Sequence, residues 1–186
     1  MKYLVLLVAF FCLAAKADVE VHESFTYYTV TPLSKALLLE TVNKSSPIIQ
    51  NKKVFHGHTA YQIKWQFEWK KHTNGCKLSD IKVDVNLVYT MPKLESSAKD
   101  IQEVWSNWYP NLERHEKEHG QLAIDMAKKI DNALKSLGSF ANCSELEKAA
   151  NAIGNKQMFE LKAANEDYDT RTNYGESQKA WLYQHL

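Results

Sequence analysis

The run RHEKEHG, residues 114–120, sets two histidines four apart, with a glutamate directly after the first. On a helix that spacing carries both rings on one face, about one turn apart. Two neutral imidazoles converging in this way can hold a zinc ion, and the carboxylate beside the first can take a proton from metal-bound water. His115 and His119 are thus candidate ligands and Glu116 a candidate general base. The flanking residues agree with an inward register. Leu112, His115, His119, Leu122 and Met126 form one stripe, while Lys117 and Glu118 fall on the other side. Gly120 costs a helix interior about 0.5–1 kcal/mol relative to alanine, which predicts a close approach by another segment. The competing reading is two histidines that close a core stripe and hydrogen-bond to neighbours without a metal.

Such a helix needs a scaffold, and the sequence supplies one in two halves. The stretch 25–31, FTYYTVT, is rich in aromatic and β-branched residues and predicts a strand. SKALLLETV follows as a short helix with Ser34 as its cap. Residues 58–71 have a clear period of two: Tyr61, Ile63, Trp65, Phe67 and Trp69 share one face and polar residues the other. Thr73-Asn74-Gly75 is a turn signal, and residues 82–90 alternate again until Pro92, where the pattern stops. The two strands form an antiparallel pair with one apolar face to cover. From Ser96 the period becomes helical, with Pro110 either kinking that helix or opening the next, and Gly138 as a stop. Ser144 with Glu147 reads as a capping box for a last helix running toward Tyr168. The expected fold is α+β: a small antiparallel sheet in the N-terminal half covered by C-terminal helices, with the histidine pair on a long helix.

Residues 1–17 have the layout of a signal peptide: Lys2, an apolar run from Tyr3 to Ala15, then Ala15-Lys16-Ala17 as a small-x-small cleavage site. The expected mature unit is a single domain of residues 18–186, secreted or periplasmic. Loss of Lys2 and Lys16, and of no acid, moves the formal charge from +1 to −1. A near-neutral balance without a basic stripe argues against nucleic acid as a partner. No later run is long and apolar enough to predict a membrane span. Removal of Cys12 leaves Cys76 and Cys143, which in an oxidising compartment most simply pair; their spacing is unlike that of zinc–thiolate sites.

Other ring-bearing residues read as structural. His56-Gly57-His58 sets two rings on one face of an extended chain, open to a surface zinc or copper site, but is expected to be a solvated start to the strand. His22 and His72 stand among polar neighbours and are expected at the surface. The tryptophans at 65, 69, 105 and 108 are expected to join sheet to helix.

Several stretches together carry a family likeness: YYTV at 27–30, HGHTAYQIKW at 56–65, NGC at 74–76, VWSNWYPNLERHEKEHG at 104–120, ANC at 141–143 and YDTRTNYG at 168–175. Over nearly all of the mature chain the sequence resembles a bacterial family of domains of unknown function, described as predicted secreted zinc-dependent proteases. The resemblance implies a zincin-like domain with Zn2+ on His115 and His119, Glu116 as general base, and a Cys76–Cys143 disulfide. The family pattern ends in T-x-H-G, whose histidine is the natural third ligand, whereas this chain has Thr172-Asn173-Tyr174-Gly175. A catalytic zinc needs three protein ligands and one open position. Asp169 leads as the replacement, and Glu166 and His185 are alternatives. Tyr174 can coordinate as a phenolate or donate its hydroxyl to the developing oxyanion. The expected function is a zinc-dependent metallopeptidase acting on a peptide or protein substrate. The alternative is a catalytically inactive exported binding protein on the same scaffold, its third ligand lost.

Overall fold

The computed structural model describes residues 19–186, and the expected signal segment lies outside them. The sheet is built on its longest strand. In β5 (Gly75–Leu94), Val83, Val85, Leu87, Tyr89 and Met91 alternate along one face and are buried, while Lys77, Lys82, Val88 and Lys93 are exposed. β4 (His58–His72) pairs with it antiparallel through a two-residue connection at Thr73-Asn74, and Gly75 takes a left-handed φ of +136° there. β1 (Val19–Val30) adds on the other side, parallel to β5, with Val19 opposite Val83 and Val30 opposite Leu94. The three-stranded sheet is therefore mixed, in the order β1-β5-β4.

Pro92 does not end the strand; β5 continues to Leu94. The β4 ladder closes at Thr90 opposite His58, so beyond it that side of β5 is an edge, where a missing N–H costs no ladder bond. A short α1 (Leu38–Ser45) buries Leu38 and Val42. It opens through a 3-10 turn at Lys35–Leu37, where Ser34 makes no side-chain cap. A small ribbon, β2 (Ile49–Gln50) with β3 (Lys53–Val54), then leads toward β4.

Two long helices cover the apolar face. α2 (Lys99–Lys135) runs through Pro110 without a break, since Pro110 and Ser106, whose carbonyl the ring frees, both lie on the exposed side. Its inner stripe includes Ile101, Val104, Trp108, Leu112, Ala123, Ile130 and Leu134. Gly120 has the reason its cost demands: a Cβ there would stand 2.2 Å from the Tyr89 hydroxyl of β5. α3 (Cys143–Thr172) starts earlier than a cap at Ser144 would place it. Asn142 caps it instead, its side chain accepting from the Glu145 N–H at 2.9 Å. The Trp65 ring lies against Gly154 of α3 and donates to Asn151, which joins sheet to helix as expected of this residue. Trp69, 42% exposed, stays at the rim.

A disulfide joins Cys76 to Cys143, with Cα atoms 5.1 Å apart, and so ties the start of β5 to the start of α3. Backbone hydrogen bonds between Cys76 and Phe140 in both directions, 2.8 and 2.9 Å, lie beside it. Closing a loop of 67 residues stabilises the fold by roughly 4 kcal/mol on the chain-entropy account. Among the described residues no helix is long and apolar enough to cross a membrane.

Candidate functional site

The inward face of α2 brings His115 and His119 together as helical spacing requires. Both are nearly buried, with ring centroids 5.0 Å apart and planes at 87°. Each ring has one nitrogen fixed by an amide. His115 Nδ1 donates to Gln178 Oε1 at 2.8 Å, and His119 Nδ1 donates to Asn165 Oδ1 at 2.6 Å. Asn165 Nδ2 donates to the Leu161 carbonyl, which sets the amide so that its oxygen faces the imidazole. With both Nδ1 positions committed to donation, the two Nε2 atoms carry the chemistry.

Both Nε2 atoms face one carboxylate. Asp169 Oδ1 lies 3.1 Å from His119 Nε2 and 3.5 Å from His115 Nε2. The three side chains offer donor atoms all within 4.8 Å of one another. Asp169 arrives from α3, where Asn165, Tyr168, Asp169 and Thr172 follow helical spacing on the face turned to α2. The Tyr168 ring stacks on His115 at 5.0 Å and meets His119 edge-on at 4.9 Å, which fixes both imidazoles from behind. Its hydroxyl donates to Gln178 Oε1, the acceptor that also orients His115.

The electrostatics follow from crowding three such groups. Burial works against ionised Asp169, but the hydrogen bonds and charges of the two imidazoles outweigh it and hold the carboxyl well below its ordinary range. Burial likewise disfavours a charged His119, yet Asp169, Asn165 and Glu116 together raise its pKa. Three lone-pair donors this close to one another favour sharing a positive charge, whether a proton or a metal cation.

Glu116 sits beside this trio, 5% exposed. Burial raises its pKa, and the Thr59 hydroxyl and the imidazoles of His119, His115 and His58 pull it back only in part. Thr59 Oγ1, at the start of β4, lies 2.7 Å from Glu116 Oε2 and 2.9 Å from the Glu116 carbonyl. Gly57 makes this seat possible, since a Cβ there would stand 2.6 Å from Glu116 Oε1. Its neighbours diverge. His56 is buried, and its Nε2 meets Asn43 Oδ1 at 2.8 Å; burial lowers its pKa to about 4. That corrects the expectation of a solvated stretch, because the Trp108 and Trp181 rings enclose His56. His58 lines the cavity.

The cavity over the trio has a volume of about 180 Å3 and is lined by His58, Thr59, Tyr61, His115, Glu116, His119 and Asp169. Of the other candidates, Tyr174 stands on its wall, 49% exposed and left-handed at φ +52°, its ring against Phe55. Glu166 is exposed and 3.6 Å from Lys162, and His185 Nε2 meets the Lys179 carbonyl; neither joins the trio among the described residues. His22 is at the surface, as expected, paired with Glu20. The tail is fixed over the site by Trp108 Nε1, which donates to the Ala180 carbonyl at 2.8 Å.

Sequence reasoning missed Asn165, Gln178, Thr59 and the role of Gly57. For Asn165 a signal existed, as it precedes Asp169 by one helical turn. Gln178 had none, because a 3-10 turn in the tail carries it. No curated protein and no solved structure matches this chain. A family described as "Bacterial protein of unknown function (DUF922)" matches residues 25–176. That span holds the whole sheet apart from the first residues of β1, both long helices, and all of His115, Glu116, His119 and Asp169; the chain belongs to the DUF922 family.

Proposed function

We propose that this protein is an exported zinc-dependent metallopeptidase, with His115, His119 and Asp169 as the zinc ligands and Glu116 as the general base. The observation that carries the reading is the spacing of the three donors. A tetrahedral zinc with bonds of about 2.0–2.1 Å sets neighbouring ligand atoms about 3.3 Å apart; Asp169 Oδ1 stands 3.1 and 3.5 Å from the two imidazole nitrogens. Two histidines and one carboxylate also leave a fourth position for water, and an open cavity lies on that side.

Bound zinc would supply a Lewis acid for the scissile carbonyl and would lower the pKa of a water toward 7. The residues of the chain do the rest. Burial keeps the Glu116 carboxylate poorly solvated, so its affinity for a proton is raised toward that of a working base. Thr59 and the backbone at Gly57 hold the carboxylate in one place, so proton transfer needs no rearrangement. Glu116 then passes the proton to the leaving amine. Asn165 and Gln178 orient the imidazoles and keep their Nε2 lone pairs available. Tyr174, on the cavity wall, is the oxyanion donor in this reading. The disulfide and the leader-like residues 1–17 support export to the periplasm or beyond.

The test measures zinc per chain by elemental analysis and hydrolysis of a broad peptide library by mass spectrometry. Wild-type protein is expected to hold one zinc and to cleave. Asp169→Ala is expected to lose the metal, and Glu116→Gln to keep the metal and lose cleavage. Cleavage undiminished in Glu116→Gln sinks the mechanism. Zinc binding undiminished in Asp169→Ala sinks the ligand set.

A further inference from the structure

The cavity over the three donors opens into a second, larger one. The outer cavity has a volume of about 590 Å3 and shares Gln50, Phe55, Asp169, Tyr174 and Trp181 with the inner one, so the two form one continuous cleft. Sites for small ligands run to about 300–1,000 Å3. The inner cavity, at about 180 Å3, falls below that range and the outer one within it. Chemistry belongs to the first, and recognition has room only in the second.

The outer wall is aromatic. Phe55 lies 6.1 Å from Tyr174 and 5.9 Å from Trp181 by ring centroids, and Trp181 lies 6.1 Å from Tyr183. Tyr174 and Tyr183 are about half exposed, so the wall is open to solvent. The backbone carries strain to present it. Asn173 and Tyr174 are both left-handed, at φ +49° and +52°, a conformation that a bulky aromatic residue rarely adopts. Two of the polar groups among the rings are engaged. Trp181 Nε1 donates to the Tyr174 carbonyl, and Glu176 accepts from both Asn173 Nδ2 and the Tyr183 hydroxyl. Gln50, Asn51 and Lys53 of the β2–β3 ribbon and Glu166 of α3 complete the lining with polar and charged groups.

From this arrangement we infer that the outer cavity is a substrate subsite for a large apolar or aromatic side chain of a polypeptide, next to the scissile bond. The inference rests on the peptidase reading and adds its specificity. On the peptidase reading, the aromatic faces are where a hydrocarbon or aromatic side chain of the substrate packs. The amides of Gln50 and Asn51 in the lining offer donors and acceptors of the kind a peptide link needs.

The experiment has two arms on the full chain. In the first, zinc-loaded wild type cleaves a randomised peptide library. Phe, Tyr, Trp and Leu are expected to be enriched at one position within two residues of the cut, with kcat/KM about tenfold or more above alanine there. Trp181→Ala and Tyr183→Ala are each expected to shrink that ratio at least about threefold. A ratio within one protein is insensitive to partial loss of folded enzyme, and half-exposed Tyr183 carries little folding risk. In the second arm, Glu116→Gln is titrated with fluorescent peptides differing only by Phe or Ala at that position. The Phe peptide is expected to bind more tightly and to resist competition by an oligosaccharide of N-acetylglucosamine. Cleavage without the preference, equal binding of both peptides, or displacement by the sugar overturns the subsite. Selective binding of the Phe peptide without Glu116-dependent cleavage keeps the subsite and overturns the peptidase reading. Neither binding nor cleavage overturns both.

Discussion

Two stretches of this chain carry a pair of histidines, and the fold treats them in opposite ways. His115 and His119 stand four apart on a helix, so their rings meet over one point, each with an amide oxygen behind it. His56 and His58 stand two apart where the chain enters β4, and they part company. His56 is enclosed and bound to Asn43, whereas His58 faces the cavity. A period of two shares a face only where the backbone is already extended, and β4 starts at His58. The residue between them, Gly57, touches Glu116 and so joins the second stretch to the first. A histidine pair therefore says little until the element beneath it is known.

The largest effect should come from breaking the chemistry proposed for the first stretch. Glu116→Gln is expected to lower kcat by about 10²–10⁴-fold with zinc content unchanged, as read by steady-state kinetics beside elemental analysis. Next, Gly57→Ala carries the break in from the other stretch. Its Cβ would fall 2.6 Å from Glu116 Oε1, and displacing that carboxylate by about an ångström is expected to cost about 10²-fold in kcat while the metal stays. The two asparagines behind the rings make a finer comparison. Asn165→Ala is expected to weaken zinc binding about 10–100-fold by chelator competition, and Asn43→Ala to leave it unchanged. Equal effects would erase the distinction between the pairs.

The smallest expected effect is on stability. His56 has its pKa lowered to about 4 by burial, against an ordinary 6.5, so the folded state holds it neutral. Its contribution is complete above about pH 6.5 and is lost as pH falls toward 4, because only the unfolded chain takes up the proton in that window. The loss is about 2 kcal/mol between pH 7.5 and 5. Urea midpoints at those two values should converge for His56→Gln relative to wild type. An unchanged gap would mean that other groups set the acid sensitivity.

Much of the scaffold was readable from periodicity. The alternation from Tyr61 to Trp69 and from Val83 to Tyr89 marked two strands and their apolar faces, since a pleated backbone repeats every two residues. Gly120 marked the contact with β5, because only a close neighbour justifies a helical glycine. Other features were illegible for physical reasons. The parallel docking of β1 depends on long-range pairing that no local pattern encodes. The capping-box pattern at Ser144 lost to Asn142, because the disulfide and the Phe140 bridge fix where α3 begins. Asp169 stood out as a possible third donor, but its distance from both imidazoles depends on how α2 and α3 pack.

Local spacing in the sequence settled which face of α2 both imidazoles share, because the helical repeat converts four residues into one turn whatever else the chain does. The packing of α3 and the tail against that face settled the rest: the carboxylate between the rings, the amides behind them, and the aromatic wall outside. Those partners lie 46 to 63 residues from the histidines they serve. Distances across such gaps are fixed by burial and hydrogen bonding between elements, which no window of sequence contains.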